Sequence, residues 1–124
     1  KFLEEKMQQI MPNTSAVLGE VLAAKMLARS GSLKKMAIMP SSTLQVLGAE
    51  KALYSHLKTG SKPPKHGIIF QHPLLSNAKR DQRGKIAKII AGKLSVSTKM
   101  DYFSEKNDGQ NLKLEMEKKI RELK

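Results

Sequence analysis

Apolar residues recur along most of this chain at the spacing of one helix face, and the places where that spacing fails divide it into elements. Leu3, Met7 and Ile10 stand at i, i+4 and i+7, with Glu4, Glu5 and Lys6 on the other side, and Pro12 stops the pattern. Residues 1–11 therefore read as the end of a coiled-coil or amphipathic helix, and residues 12–124 as one domain. The first residues resemble a cut inside a helix rather than a signal peptide, and the chain reads as a fragment of something longer. Asn13-Thr14-Ser15 offers N-cap oxygens to a second helix, expected to run unbroken to about Ser30 with Gly31 as its left-handed terminator. Val17, Leu18, Val21, Leu22, Ala24, Leu27 and Ala28 surround most of its circumference, so it is expected to be the central rod of the core. Leu33 to Met39 predicts a short helix ended by Pro40, with Met26, Met36 and Met39 as core filler.

The period then changes. Thr43 to Leu47 alternates weakly between Pro40 and Gly48, and His66 to Phe70 is a second β-like run. The two are either a short two-stranded β ribbon or buried extended pieces, since short apolar runs leave both open. Between them Ala49 to Lys58 is helical in composition, and Gly60 with Pro63-Pro64 ends it. A long helix is expected from near Asp81 to about Met100. Ile86, Ala87, Ile90, Ala91 and Leu94 share one face of it, while Lys85, Lys88, Gly92, Ser95 and Lys99 gather opposite. Lys93 falls near the apolar side, where its stem can lie on the core while the ammonium reaches water. Asn107-Asp108-Gly109 makes a turn and a cap. Leu112, Met116, Ile120 and Leu123 then stripe a last amphipathic helix of balanced charge. The fold class is mainly α.

Charge changes this picture from scaffold to surface. Between Lys51 and Lys99 there are eleven Lys and Arg against one acid, Asp81, and all three histidines lie in residues 51–99. Residues 1–50 carry six bases and four acids, and residues 100–124 carry six of each, so the net +12 is confined almost wholly to one segment. A generic soluble chain interleaves its signs; a segregated basic excess points to a polyanion, with RNA or DNA first. Aromatics are only 4% of the chain, too few and too scattered for a sheet that stacks bases. With no cysteine, disulfide frameworks and thiolate zinc sites are excluded. No apolar run approaches the roughly 20 residues of a membrane span.

Catalytic chemistry finds no residues to work with. His56, His66 and His72 have no carboxylate near them in sequence, so no metal site is expected. Gly60-Ser61-Lys62 lacks the frame and preceding strand of a phosphate loop. Paired acids are absent from the basic region, and neither an enzyme activity nor a cofactor is expected.

Binding residues are better marked. Gly48 and Ala49 suit a sharp entry and a close backbone approach, and with Glu50 and Lys51 they form a candidate protein-partner surface. Glu50 is either a favourable charge at a helix N-terminus or an acceptor at a contact. The loop Thr59 to His66 presents Lys62, Lys65 and His66 beside two prolines. Gln71 and His72 follow an apolar run, where they either reach a base edge or ribose hydroxyl or satisfy loop backbone. Lys79, Arg80 and Arg83 crowd a helix start, a poor place for cations alone, and so anticipate an anion. Lys85 and Lys88 continue that face, and the near absence of acids favours phosphate contact over mere solubility.

Three ordered motifs carry a resemblance. Leu47-Gly48-Ala49-Glu50-Lys51-Ala52-Leu53-Tyr54, Pro64-Lys65-His66-Gly67-Ile68-Ile69-Phe70 and Gln82-Arg83-Gly84-Lys85-Ile86-Ala87 resemble the Nop domain of box C/D ribonucleoprotein core proteins, the Nop56/Nop58-like family. The resemblance covers nearly all of residues 12–124. Lys62 to Gly67, with Phe70 to Pro73, looks more like the single archaeal protein of the family than its paired eukaryotic ones or its spliceosomal relative. Tyr54-Ser55 departs from the usual Phe-Arg, which removes a cationic role at Ser55.

The resemblance implies a compact helical Nop domain that binds a box C/D guide RNA at its kink-turn, jointly with a small kink-turn-binding, ribosomal-protein-like subunit. It places Glu50 and Lys51 at the composite protein–RNA surface and Gln71, His72, Arg80, Arg83 and Lys85 along the RNA side. It further implies fibrillarin docking through an N-terminal domain and homodimerisation through a coiled coil, both outside this chain. Ribose 2′-O-methylation would belong to fibrillarin. Localisation would be cytoplasmic in an archaeon and nucleolar in a eukaryote. The alternatives are a general basic helical RNA-binding domain that needs no protein partner, and a helical protein-interaction domain whose charge serves solubility.

Overall fold

The computed structural model describes residues 2–49 and 67–123. Helix α1 (Phe2–Ile10) buries Met7 and stops at Met11, whose extended φ of −139° sets Pro12 as the first residue of α2 (Pro12–Leu18). Proline suits that place because its missing N–H would have no partner there. The expected single helix to Ser30 is in fact two. Gly19, at φ 85° and ψ 153°, separates α2 from α3 (Glu20–Ser30). A positive φ of this kind is open to glycine and strained for other residues, so the apolar periodicity runs straight through a break that only the backbone reveals.

Gly31, also at positive φ (97°), ends α3 as expected. Ser32 then caps α4 (Leu33–Ile38), its hydroxyl accepting from the Lys35 N–H at 3.1 Å. The run 43–47 is not a strand. Thr43 to Val46 lie in helix α5 (Ser41–Val46), with Pro40 at the N-cap and Leu47 at the C-cap; Ser41, Ser42 and Thr43 make an exposed polar first turn, and Leu44 and Leu47 are buried. The second run forms a 3-10 turn, Ile68–Gln71. Among the described residues there is no strand, yet the two runs do meet. The Gly67 N–H donates to Gln45 O at 3.0 Å and Ile68 N–H to Leu47 O at 2.8 Å. A Cβ on Gly67 would fall 2.1 Å from that Leu47 carbonyl, so the approach requires glycine.

Beyond the short α6 (Pro73–Ser76) and a 3-10 turn at Arg80–Gln82 comes α7 (Arg83–Phe103), 21 residues long. It packs against α2, α4, α5, α6 and α8 (Gly109–Arg121), and it takes the central place expected of residues 15–30. The reason is its small residues. Ala87, Ala91, Ser97 and Thr98 are buried on the same side as Ile86, Ile90 and Leu94 and let the neighbouring helices come close, whereas Val21 on α3 is exposed. Lys93 lies along the core, and its ammonium meets the α8 carboxylate of Glu115 at 2.7 Å. Leu112 and Met116 bury the α8 stripe, with Ile120 and Leu123 packed at its edge. Five of the seven methionines, Met7, Met11, Met26, Met36 and Met116, are core residues, and Met39 and Met100 pack against it.

One polar cluster holds the scaffold together. The Asp101 carboxylate on α7 accepts from the backbone N–H groups of Asn13 and Thr14, both at 2.9 Å. It also accepts from Asn13 Nδ2 at 2.8 Å and the Thr14 hydroxyl at 2.6 Å. It therefore caps the N-terminus of α2 from a position 87 residues away in sequence. Asn13 completes the joint by donating to Lys106 O (2.8 Å) and accepting from Asp108 N–H (2.7 Å), which fixes the entry to α8.

Candidate nucleic-acid interface

Of the basic segment, residues 67–99 are described, and its cations crowd the N-terminal end of α7. Arg80 is exposed on the preceding 3-10 turn, and Lys85 and Lys88 are exposed on the outer side of α7, as the helical spacing requires. Lys79 is exposed beside Arg80, and Asp81 is the acid among them. Arg83 is half-buried: its Nε donates to Ala78 O at 3.2 Å and its guanidinium carbon lies 5.4 Å from the Phe70 ring centroid. A guanidinium held over an aromatic face keeps its charge while losing freedom, so Arg83 is fixed in orientation before any ligand arrives.

Phe70 belongs to the turn Ile68–Gln71, which brings the next residue to the same region. Gln71 is exposed, and its side-chain carbonyl accepts from Lys25 Nζ at 2.6 Å. Lys25, on the outer side of α3, thus adds a cation that the linear sequence did not mark, because it lies outside the basic segment, in a largely apolar helix. The structure brings Gln71, Arg83 and Phe70 together with Lys25.

His72 does not join them. It is 8% exposed, its Nε2 lies 3.1 Å from Val17 O, and its Nδ1 accepts the Leu74 N–H at 3.1 Å as the N-cap of α6. Both nitrogens serve the backbone, with Nδ1 as acceptor and Nε2 carrying the proton. Of the two readings open to it in the sequence, an RNA contact and loop satisfaction, this geometry is the second. Burial holds its pKa below the usual histidine value. The Val17 carbonyl and Glu117 oppose that shift and Lys113 adds to it.

Gly48 is exposed at φ 98°, and a Cβ there would fall 2.6 Å from the Ile68 side chain. Ala49 is half-buried, its N–H donating to Val46 O at 2.9 Å. Glu50, Lys51, Lys62, Lys65 and His66, with the helix expected over 49–58 and the loop 59–66, lie outside the described residues except for Ala49 itself. What the described geometry offers is a cationic, acid-poor rim with a planar amide in it, suited to phosphates and one polar edge.

Comparison with known proteins identifies relatives of the chain. The Nop family profile, described as "snoRNA binding domain, fibrillarin", matches residues 1–122. An uncharacterised NOP5 family protein of Methanocaldococcus jannaschii is 47% identical over 104 residues, 84% of this chain and 25% of that protein. Nucleolar protein 58 of Schizosaccharomyces pombe is 41% identical over 121 residues, 98% of this chain and 24% of that protein. The chain thus spans about a quarter of the length of these relatives. Among solved structures, a fibrillarin/Nop5p complex superposes with a TM-score of 0.79 at 35% identity, covering 99% of this chain and 45% of the matched one.

Proposed function

The chain belongs to the Nop family of snoRNA-binding domains, and from that membership we propose that it is a non-catalytic assembly module of a box C/D ribonucleoprotein. In this reading it binds kink-turn RNA jointly with a small kink-turn-binding protein. Arg80, Arg83, Lys85, Lys88 and Gln71 form the described RNA side. Lys51, Lys62, Lys65 and His66 extend it, and Gly48, Ala49, Glu50 and Lys51 meet the companion protein. The whole protein would dock fibrillarin through an N-terminal domain and pair through a coiled coil that ends at residue 11. Leu3, Ile10 and Phe2, left exposed on α1, support that last point. Methylation of ribose hydroxyls would be fibrillarin's chemistry.

The observation that carries the reading is the fixed Arg83, stacked on Phe70, at the head of a helix whose Lys85 and Lys88 turn outward. Such an arrangement is half a site: it binds a polyanion through charge, and specificity needs a second surface. Gel shifts with kink-turn RNA test it. Free RNA is expected to bind weakly, with a salt slope of about −0.7 to −0.9 per phosphate contacted, and the companion protein is expected to raise the affinity. Equal binding with and without that protein would favour a general basic RNA-binding domain instead.

A further inference from the structure

The lysine face of α7 does not end with its lysines. At 100° per residue, Lys85, Gly92, Val96, Lys99 and Phe103 fall within about 40° of one line along the helix, and Lys88 within about 60°. All but Gly92, which is half-buried, are exposed: Val96 at 44% and Phe103 at 66%. Tyr102 stands beside Phe103 at 42% exposure, the two rings edge to face with centroids 4.8 Å apart. Lys99 lies along the stripe with its ammonium on the Ser95 hydroxyl at 2.8 Å. Gly92 has nothing within 4 Å of where a Cβ would stand, so backbone is bare between the two groups of cations. The one acid of α7, Asp101, points the other way and is fully used by Asn13 and Thr14.

We propose that this outer stripe of α7 is a track for a single-stranded RNA segment, with phosphates on Lys85, Lys88 and Lys99 and an unpaired base stacked on Phe103 beside Tyr102. The proposal rests on the RNA-binding reading above, shares Lys85 and Lys88 with it, and extends it along α7 to Lys99, Tyr102 and Phe103. From Lys85 to Phe103 the track is about 27 Å long, room for several nucleotides. Its composition favours RNA over a protein partner. A protein-docking core is depleted in charge, whereas this stripe carries three exposed lysines and no acid, with Val96, Tyr102 and Phe103 as its apolar part. Cations that follow a backbone and an aromatic face that accepts any base are the two parts of a sequence-tolerant single-strand site.

The test uses the whole chain with two probes: kink-turn RNA, blunt or carrying a 3′ tail of about ten uridines, and the isolated uridine oligomer. The tail is expected to raise affinity, and Phe103→Leu, which keeps apolar area but removes the π face, to lower binding of tailed RNA and of the oligomer about tenfold. Blunt RNA should bind Phe103→Leu as it binds the parent chain. A 5-iodouridine tail should cross-link to Phe103 or Tyr102. A tail without effect, or a Phe103→Leu chain that binds tailed RNA and oligomer normally, overturns the track. Loss of companion-protein assembly alone in Phe103→Glu, with Phe103→Leu normal, would reassign the face to a protein. Failure of the parent reading looks different: blunt kink-turn RNA and companion protein would not assemble at all, while oligomer binding would still decide the track.

Discussion

At the scale of single residues, His72 shows how a polar group that looks like a contact becomes a fastener. Its ring joins Val17 at the end of α2 to the first turn of α6, and it can do so only when neutral, because Nδ1 must accept the Leu74 N–H. Nothing in Gln71-His72-Pro73 distinguishes this from an outward histidine; the deciding carbonyl lies 55 residues away. Its folded pKa is lowered, chiefly by burial, so the unfolded state binds the proton more readily. The stability it contributes is therefore present above the ordinary value of 6.5 and is lost as pH falls below it. Compared with His72→Asn, which retains a capping oxygen, the parent chain should lose more stability between pH 7 and pH 5. Urea unfolding across that range measures the difference, and parallel curves for the two chains would count against a neutral buried ring.

At the scale of elements, much was legible because it depends on local rules. The two faces of α7, the positive-φ glycine at the end of α3, and the stripe of α8 follow from periodicity and caps. What the sequence hid is non-local. Gly19 interrupts an unbroken apolar pattern, and α5 is a helix because Leu44 and Leu47 find α7 and the 3-10 turn to pack on. Asp101 escaped notice although it falls on the buried face of the α7 wheel, where a lone acid needs partners. Its four hydrogen bonds join α2 to α7, and through Asn13 they reach the entry to α8. Asp101→Ala should cost about 3 kcal/mol, since charged hydrogen bonds vanish and the buried N–H groups of α2 lose their acceptor. Thermal and urea denaturation would show this, with little change expected in RNA affinity at temperatures where the variant is folded. A loss below about 0.5 kcal/mol would mean that water replaces the carboxylate at no cost.

At the scale of the whole molecule, the scaffold and the surface are separable. The core is apolar and its principal polar joint lies around Asp101, whereas Lys85 and Lys88 at the head of α7 are exposed and stand outside that core. Lys85→Glu with Lys88→Glu should accordingly leave the melting temperature within a few degrees while weakening RNA association. The salt slope should become shallower by about 1.4 to 1.8, two phosphates' worth. An unchanged slope would remove this face from the interface. The candidate site was only partly legible for the same reason: charge segregation is visible in a string of letters, but Lys25 reaches Gln71, and Phe70 reaches Arg83, only across the fold. The methionine-rich interior has a consequence of its own. Thioethers take up oxygen from peroxide, and the sulfoxide no longer fits an apolar cavity. With Met11, Met26 and Met36 wholly enclosed, oxidative damage must wait for the fold to open, and then hinders its closing.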